Sequence, residues 1–373
     1  MVEHTTFTSK EIYQQPELWL EVFDLIDNQK ESIIRFLSDL NIDSDVIFTG
    51  AGSSFFIGQM VAPFFQKDTN LSSRAIQTTE IVTHSEHYIN KKRDTLLVSF
   101  ARSGNSPESM AAVNLANQCS SKVRHLIITC NKDGALANIS IPNSYVLVMP
   151  DKANDKSLAM TSSVTSMGLA ALLIGRLKNL EPMKTEIQKA AELMIAFFSR
   201  YRKVLQEAST RSYQRVVCLG SGPMQGVARE AHLKMQEMTD GEIICKFDSF
   251  LGFRHGPKAV VNDQTMMVYF FSNDEYIRQY ELDLVHSMKP TVLSIGVCNV
   301  PVTDTPLDIC IDLSEKRVDD GLWTLMSLVP MQLLAYYKSI AMNYNPDSPS
   351  RSGAIHRVVQ GVTIYSYQNN NKK

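Results

Sequence analysis

The stretch Ser99-Phe-Ala-Arg-Ser-Gly-Asn-Ser-Pro-Glu108 gathers residues suited to holding an anion. It follows the apolar run 95–99 and precedes an alanine-rich helical pattern over 109–117, so it reads as strand, short hydroxyl-rich turn and helix. Free backbone N–H groups at a helix start attract an anion, and the hydroxyls of Ser103 and Ser106 add donors. Gly104 lets a ligand approach the backbone closely. The same residues also suit an ordinary capped turn. A second turn, Thr49-Gly-Ala-Gly-Ser-Ser54, follows the short apolar strand 46–48. Gly52, Ser53 and Ser54 at its helix start suit a terminal phosphate monoester. A dinucleotide fingerprint is disfavoured, because Phe55 stands where the third glycine belongs.

Acid–base groups cluster further along. Glu230, Lys234 and Glu237 stand at i, i+4 and i+7 on a helical pattern that also carries Arg229 and His232. One helix face therefore presents carboxylate, amine, carboxylate, and on spacing alone this predicts ion pairs on a solvated face. His255 lies in the turn Phe253-Arg-His-Gly-Pro257. A carboxylate and a neutral histidine in one cleft suit enolisation: one group moves a carbon-bound proton while the other handles the ring oxygen. No His, Asp, Glu or Cys spacing suggests metal ligands, so no metal and no other cofactor is expected.

The elements that must position these groups follow from the whole chain. It has 373 residues, a formal net charge of −2, 44% hydrophobic and 20% charged residues, enough for two domains with sizeable cores. The charge balance gives no footprint for nucleic acid, no apolar run predicts a membrane span, and the start lacks a signal-peptide pattern. Six scattered cysteines without CxxC spacing read as reduced thiols of a cytoplasmic protein. Residues 8–40 predict a helical arm, opened by Thr8-Ser-Lys-Glu11 as a capping box and restarted at Pro16.

Strands are expected at 74–78, 95–100, 123–129 and 144–148, alternating with helical segments as in a parallel sheet covered on both faces. The hydroxyl-rich segment 157–166 reads as the N-terminal cap of an apolar helix over 167–177, and 180–206 as a long helical linker. At Tyr213 the pattern restarts, with strands expected at 215–219, 242–247, 265–271, 291–295 and 307–311. Position 50 aligns with 220 and Ser99 with Tyr269, both 170 apart, which predicts a duplicated unit. In the second copy Pro223 replaces the first hydroxyl, and Ser272-Asn-Asp-Glu275 replaces the Ser-Gly-Asn-Ser turn. Acidic groups there disfavour a phosphate, so the first copy should hold the anion.

Taken together, Gly-Ala-Gly-Ser-Ser at 50–54, the motif at 99–108, Leu-Lys-Met-Gln-Glu-Met-Thr at 233–239, Arg-His-Gly-Pro at 254–257 and the tail at 345–362 carry a resemblance. The chain resembles tandem sugar isomerase (SIS) domain proteins over roughly residues 40–365. It is similar in plan to the isomerase half of glucosamine-6-phosphate synthase. It is more similar to the tagatose-6-phosphate ketose/aldose isomerase family, also described as galactosamine-6-phosphate deaminase/isomerase. The resemblance implies an α/β fold of two tandem flavodoxin-like SIS domains. These would occupy 41–206 (phosphate-binding, with the linker helix) and 207–344 (carrying the acid–base residues), with an N-terminal helical arm over 1–40 and a tail over 345–373 folded across the active site.

By the same resemblance, Ser54, Ser103 and Ser106 hold the phosphate of a hexose 6-phosphate, with Gly52, Ser53, Arg102 and Arg357 as further candidate substrate and phosphate contacts. Glu237 is the base that shuttles a proton between C1 and C2, Lys234 orients or polarises it, and His255 opens the ring, reaching across from a neighbouring subunit. A homodimer or homotetramer with shared active sites is therefore implied. The chain departs from the synthase at Ala101 and Arg102, which stand in place of the first serine of the turn and its neighbour. It departs again in the tail, where His356 or Arg357 takes the place of a lysine. The expected activity is aldose–ketose interconversion or, with an amino sugar, deamination. A regulatory SIS protein that binds sugar phosphate without turnover is the alternative. A glutamine-dependent amidotransferase is disfavoured, since no glutaminase domain fits in the residues before 40.

Overall fold

The computed structural model describes residues 5–359 and 361–367. Two helices, α1 (Phe7–Tyr13) and α2 (Gln15–Leu37), lead into β1 (Asp45–Gly50), α3 (Ser53–Thr69), β2 (Ser72–Gln77), α4 (Thr78–Tyr88), β3 (Thr95–Ala101), α5 (Pro107–Cys119), β4 (Val123–Thr129), β5 (Ser144–Val148), α6 (Ser162–Gly175) and α7 (Glu181–Ser209). The second half runs β6 (Arg215–Gly220), α8 (Pro223–Met238), β7 (Ile244–Asp248), α9 (Phe250–Phe253), β8 (Thr265–Phe270), α10 (Glu275–His286), β9 (Leu293–Cys298), β10 (Ile309–Asp312), α11 (Asp320–Met326) and α12 (Val329–Ala341). Strands β1 to β5 form one parallel sheet in the order 2-1-3-4-5, and β6 to β10 form a second in the same order relative to its own start. This is the flavodoxin-like doubly wound arrangement, present twice.

The duplication is visible residue by residue. Asp45 pairs with Thr95 as Arg215 pairs with Thr265, and Thr49 pairs with Ser99 as Leu219 pairs with Tyr269. Both offsets are the 170 residues read from the sequence. Gly52 and Gly222 adopt the same backbone geometry, φ 55° and ψ −128° in one, φ 55° and ψ −125° in the other, a region that favours glycine.

Side chains alternate across each sheet, which gives each strand two buried faces. Val46, Phe48, Leu96 and Val98 point into the main core, whereas Ile47 and Leu97 join a smaller cluster on the opposite face. Val216 and Cys218 belong to that same main core, while Val217 and Leu219 pack with Phe250, Phe253 and Tyr269 beyond the second sheet. The two units thus share one continuous core. Its centre is the contact between α3 and α8, where Arg229 Nη1 donates to Gln59 Oε1 at 3.2 Å. These residues are themselves 170 apart, so the duplicated helices meet at equivalent positions.

Most expected strands appear within two residues of their predicted ends. β7 begins at Ile244 rather than 242 because Asp240 and Gly241 turn the chain with φ of 50° and 79°. Helix α5 starts two residues earlier than expected, since Ser106 caps it and Pro107, lacking an N–H, suits its first position. The cap of α6 differs from expectation. Its own hydroxyls do not cap it; the buried Asp155 carboxylate does, accepting from Thr161 N–H at 2.7 Å, Ser163 N–H at 2.9 Å, and the hydroxyls of Ser162 and Ser163 at 2.5 and 2.6 Å. All six cysteines are free thiols. Among the described residues, no helix is long and apolar enough to cross a membrane.

The close α3–α8 contact depends on Gly226, where an added Cβ would lie 2.9 Å from Met60 N. Gly226→Leu should therefore force the units apart and lower stability by about 2 kcal/mol, seen as a fall in melting temperature with both halves unfolding earlier.

Candidate active site

β1 and β3 are neighbours in the sheet, and the strand order reverses between them. In open parallel sheets ligands bind outside the carboxyl ends of the strands at this switch point. The two hydroxyl-rich turns meet there. No side chain caps α3, whose first turn carries Ser53 and Ser54, so its positive end stays open to an anion. The other turn forms the capped turn that its sequence suits. Ser106 Oγ caps α5 by accepting from Ser109 N–H at 3.3 Å and shares a 2.6 Å hydroxyl contact with Ser109. Ser103 Oγ accepts from Asn105 N–H at 3.3 Å, its carbonyl accepts from Asn131 Nδ2 at 2.9 Å, and Gly104 takes φ 67°.

Arg102 is buried and spends its guanidinium on main-chain carbonyls. Nη1 donates to Ser157 O and Leu158 O, each at 2.9 Å, and Nη2 to Arg357 O at 2.7 Å. Arg357 in turn donates from Nε to Asp155 O at 2.9 Å and from Nη2 to Asn154 Oδ1 at 2.9 Å. The turn after β3, the segment 154–158 and the C-terminal tail are thereby tied together, with these arginine donors used up inside the protein. Glu11 of α1 reaches the same segment, accepting from Lys156 N–H at 2.5 Å, Ser157 N–H at 3.2 Å and the Ser157 hydroxyl. Burial and the nearby Asp155 push its carboxyl up to about 7. The arm thus contacts the site's underside, a link its sequence did not announce.

The face of α8 differs most from its sequence. The spacing of Glu230, Lys234 and Glu237 predicts a solvated set of ion pairs, but Glu230 and Lys234 are fully buried between α8 and α3. Lys234 Nζ lies 2.6 Å from Glu237 Oε2, 3.1 Å from Glu230 Oε1 and donates to Ser53 Oγ at 3.0 Å. Ser53 therefore turns its hydroxyl to this charge cluster. Burial alone would push Lys234 down, but the two carboxylates outweigh it and hold the ammonium above its ordinary value. Burial pushes Glu230 up to about 7, with Lys234 pulling it back and Glu237 adding to the rise. Glu237 is the outer member, its side chain 21% exposed.

Arg229 and His232, flanking the cluster, are packed rather than catalytic in geometry. The Arg229 guanidinium stacks 4.7 to 5.1 Å from the ring centres of Phe55, Phe56 and Phe247. His232 sits 5.0 Å from the Phe247 ring and bonds Arg229 O, and burial pushes it down to about 4. His255 stands apart. It is exposed on the turn after α9, beside an ion pair of Arg254 with Asp283 at 2.8 Å. No hydrogen bond joins its ring to Glu237 among the described residues. His356 is likewise exposed, next to the anchored Arg357. Among the described residues no group of three or more His, Cys, Asp or Glu side chains could hold a metal.

A single buried ammonium thus links the first turn of α3 to the second unit's outer carboxylate. Lys234→Met, which leaves Glu230 buried without its cation, should cost about 3 kcal/mol in denaturant unfolding. Glu230→Gln isolates a proton. The Glu230 carboxyl holds its proton more tightly folded than unfolded, so its contribution is fully present below the unfolded value of 4.5 and is lost as pH rises through about 7. Measured by denaturation across pH 5 to 8, the Gln variant should gain stability relative to the parent as pH rises.

The domain model for the SIS domain matches residues 40–175. The D-galactosamine-6-phosphate deaminase AgaS of a Shewanella species is 38% identical over 97% of this chain and 92% of its own length. The protein of the same description from Escherichia coli is 37% identical over 97% of this chain and 96% of its own. The crystal structure of tagatose-6-phosphate ketose/aldose isomerase from Escherichia coli superposes with a TM-score of 0.90, at 35% identity, over 99% of this chain and 98% of that one. Identity of this level along nearly the full length of both partners, on the same doubled fold, places the chain in the SIS-domain family of AgaS galactosamine-6-phosphate deaminases and tagatose-6-phosphate ketose/aldose isomerases.

Proposed function

We propose that this enzyme converts galactosamine 6-phosphate to tagatose 6-phosphate and ammonia, by the proton chemistry of an aldose–ketose isomerase. The observation that carries the proposal is the Lys234 bridge: one ammonium contacts Ser53 at the head of the phosphate-binding helix and Glu237 on the acid–base helix. A substrate anchored by its phosphate at the β1/β3 switch point, on α3's open end and the hydroxyls of Ser54, Ser103 and Ser106, places its other end toward Glu237.

The chemistry follows from that placement. In the open-chain aldehyde, Glu237 takes the proton from C2 and the electron pair moves toward the carbonyl, giving an enolamine. Returning the proton to C1 leaves an imine at C2, and water adds there to release ammonia and a ketose phosphate. Lys234 keeps Glu237 oriented and supplies positive charge beside the developing oxyanion. Glu230, with an affinity for its proton raised to about 7, balances the ammonium so that the cluster does not carry two full carboxylates around one cation. His255 opens the sugar ring. Its exposure and its separation from Glu237 in one chain support a role in a neighbouring subunit's cleft, and hence a homodimer or larger assembly in the cytoplasm. Arg102 and Arg357 support the phosphate turn and hold the tail against it.

Ammonia release should be rapid with galactosamine 6-phosphate and slow with glucosamine 6-phosphate assayed in parallel. Release from neither, with proton exchange into tagatose 6-phosphate, would reduce the proposal to plain isomerisation. Glu237→Gln should lower kcat on the order of a hundredfold or more with KM little changed; normal turnover in that variant removes Glu237 from the role of base.

A further inference from the structure

The second unit has the same switch point as the first, between β6 and β8, and the residues there are related to the first by the same offset of 170. Where Ala51 and Arg102 stand in the first copy, Ser221 and Ser272 stand in the second. Both point their donors at one side chain. Glu281, on α10, is fully buried; its Oε2 accepts from Ser272 N–H at 2.9 Å, while its Oε1 is buried without a hydrogen-bond partner among the described residues, and the Ser221 hydroxyl is close enough to favour the charged carboxyl. Helix α5, the first copy's counterpart of α10, carries only Ala111, Ala112 and Val113 in the matching turn. The carboxyl is therefore particular to the second copy.

The residues around it bond one another. Arg278 Nη1 donates to Ser272 O and Asn273 O, each at 3.2 Å. Asn273 Nδ2 donates to Asp320 Oδ1 at 3.1 Å, and Trp323 Nε1 to Phe271 O at 3.0 Å. Burial pushes the Glu281 carboxyl up to about 7, while Ser272, Ser221 and Arg278 pull it back and Asp274 raises it further. Above that pH the group is a buried anion held by the Ser272 N–H.

We propose that Glu281 is the second copy's built-in anion: it occupies the β6/β8 crevice as an external phosphate occupies the β1/β3 crevice, closes it to ligands, and pins the turn from which α8 departs. Ser221 lies two residues before α8 begins, and α8 carries Glu230, Lys234 and Glu237. Glu281 is thus a positioning residue for the acid–base helix, a role that rests on the proposed function of Glu237. Its role as the anion of the cradle does not.

The test is Glu281→Ala in the full chain, because that change removes the atoms of one acetate. The variant should melt lower than the parent. Acetate should raise its melting temperature saturably, while neutral acetamide should not, and neither should move the parent in this way. With acetate absent, kcat should fall about tenfold or more from misplacement of α8, KM should stay within about twofold, and acetate should restore kcat along the same curve as stability. A folded variant whose melting ignores acetate overturns the anion cradle. Acetate-dependent melting with parental kcat throughout overturns the positioning role. Should the variant aggregate, recovery of soluble protein on refolding with acetate but not acetamide supports the cradle, and recovery with neither overturns it. Glu281→Gln, which keeps the volume and one acceptor, should stay folded and insensitive to acetate; acetate-dependent melting in this filled variant overturns the assignment of the crevice as the site of rescue.

Discussion

The structure turns on one ammonium buried where two helices of different units cross. Lys234 has no exposed surface, and neither has Glu230 beside it. Taking these charges out of water costs several kcal/mol per ion, which mutual attraction only partly offsets, and a hydrophobic pair of the same volume is often at least as stable. Stability is therefore a poor reason for the cluster to exist. What it supplies is a fixed positive charge in a dry site, aimed at a carboxylate on its more exposed side. The donation to Ser53 makes that charge dependent on α3, so the units must be docked for the acid–base groups to be in place.

Docking is itself a product of duplication. Gln59 and Arg229 are equivalent residues of the two copies, and they bond to each other across the α3–α8 contact. An approximate twofold relation between the copies brings equivalent surfaces face to face, as in isologous dimers. The small residue Gly226 allows the backbones to approach, and the Arg229 guanidinium fills the space beside it by stacking on Phe55, Phe56 and Phe247. Each copy therefore provides a wall of the same interface, and the linker helix α7 adds Ile187, Leu193, Met194 and Phe197 to the shared core.

How much of this was legible in the sequence depends on range. The strands were readable because short apolar runs of strands buried on both faces are local signals, and the two turns because glycine and hydroxyl residues mark helix starts. The duplication was readable because its offset is constant. The burial of Glu230 and Lys234 was not, since a carboxylate–lysine–carboxylate spacing is the same on a wet face as on a dry one; only the opposing helix decides, and it lies more than 160 residues earlier. Arg102 was read with the phosphate ligands from its place in the motif, whereas its donors go to carbonyls at 157, 158 and 357. Asp155 and Glu281 escaped notice altogether, and Glu11 was read as part of a capping box, whereas Thr6 caps α1 and Glu11 reaches 156 and 157. Each is a single acidic residue whose partners lie on other elements or turns, and an isolated acid carries no pattern of its own.

The two copies differ at equivalent places around their switch points, where Arg102 of the first answers to Ser272 of the second and Ala111 to Glu281. The first uses Arg102 to tie its turn to the carbonyls of 157, 158 and 357, whereas the second holds Glu281 on the Ser272 N–H. Both helices that follow the first strand, α3 and α8, start without a side-chain cap. With Glu281 filling the second crevice as proposed, a phosphorylated substrate has one anchoring choice, the one that the proposed function sets beside Glu237.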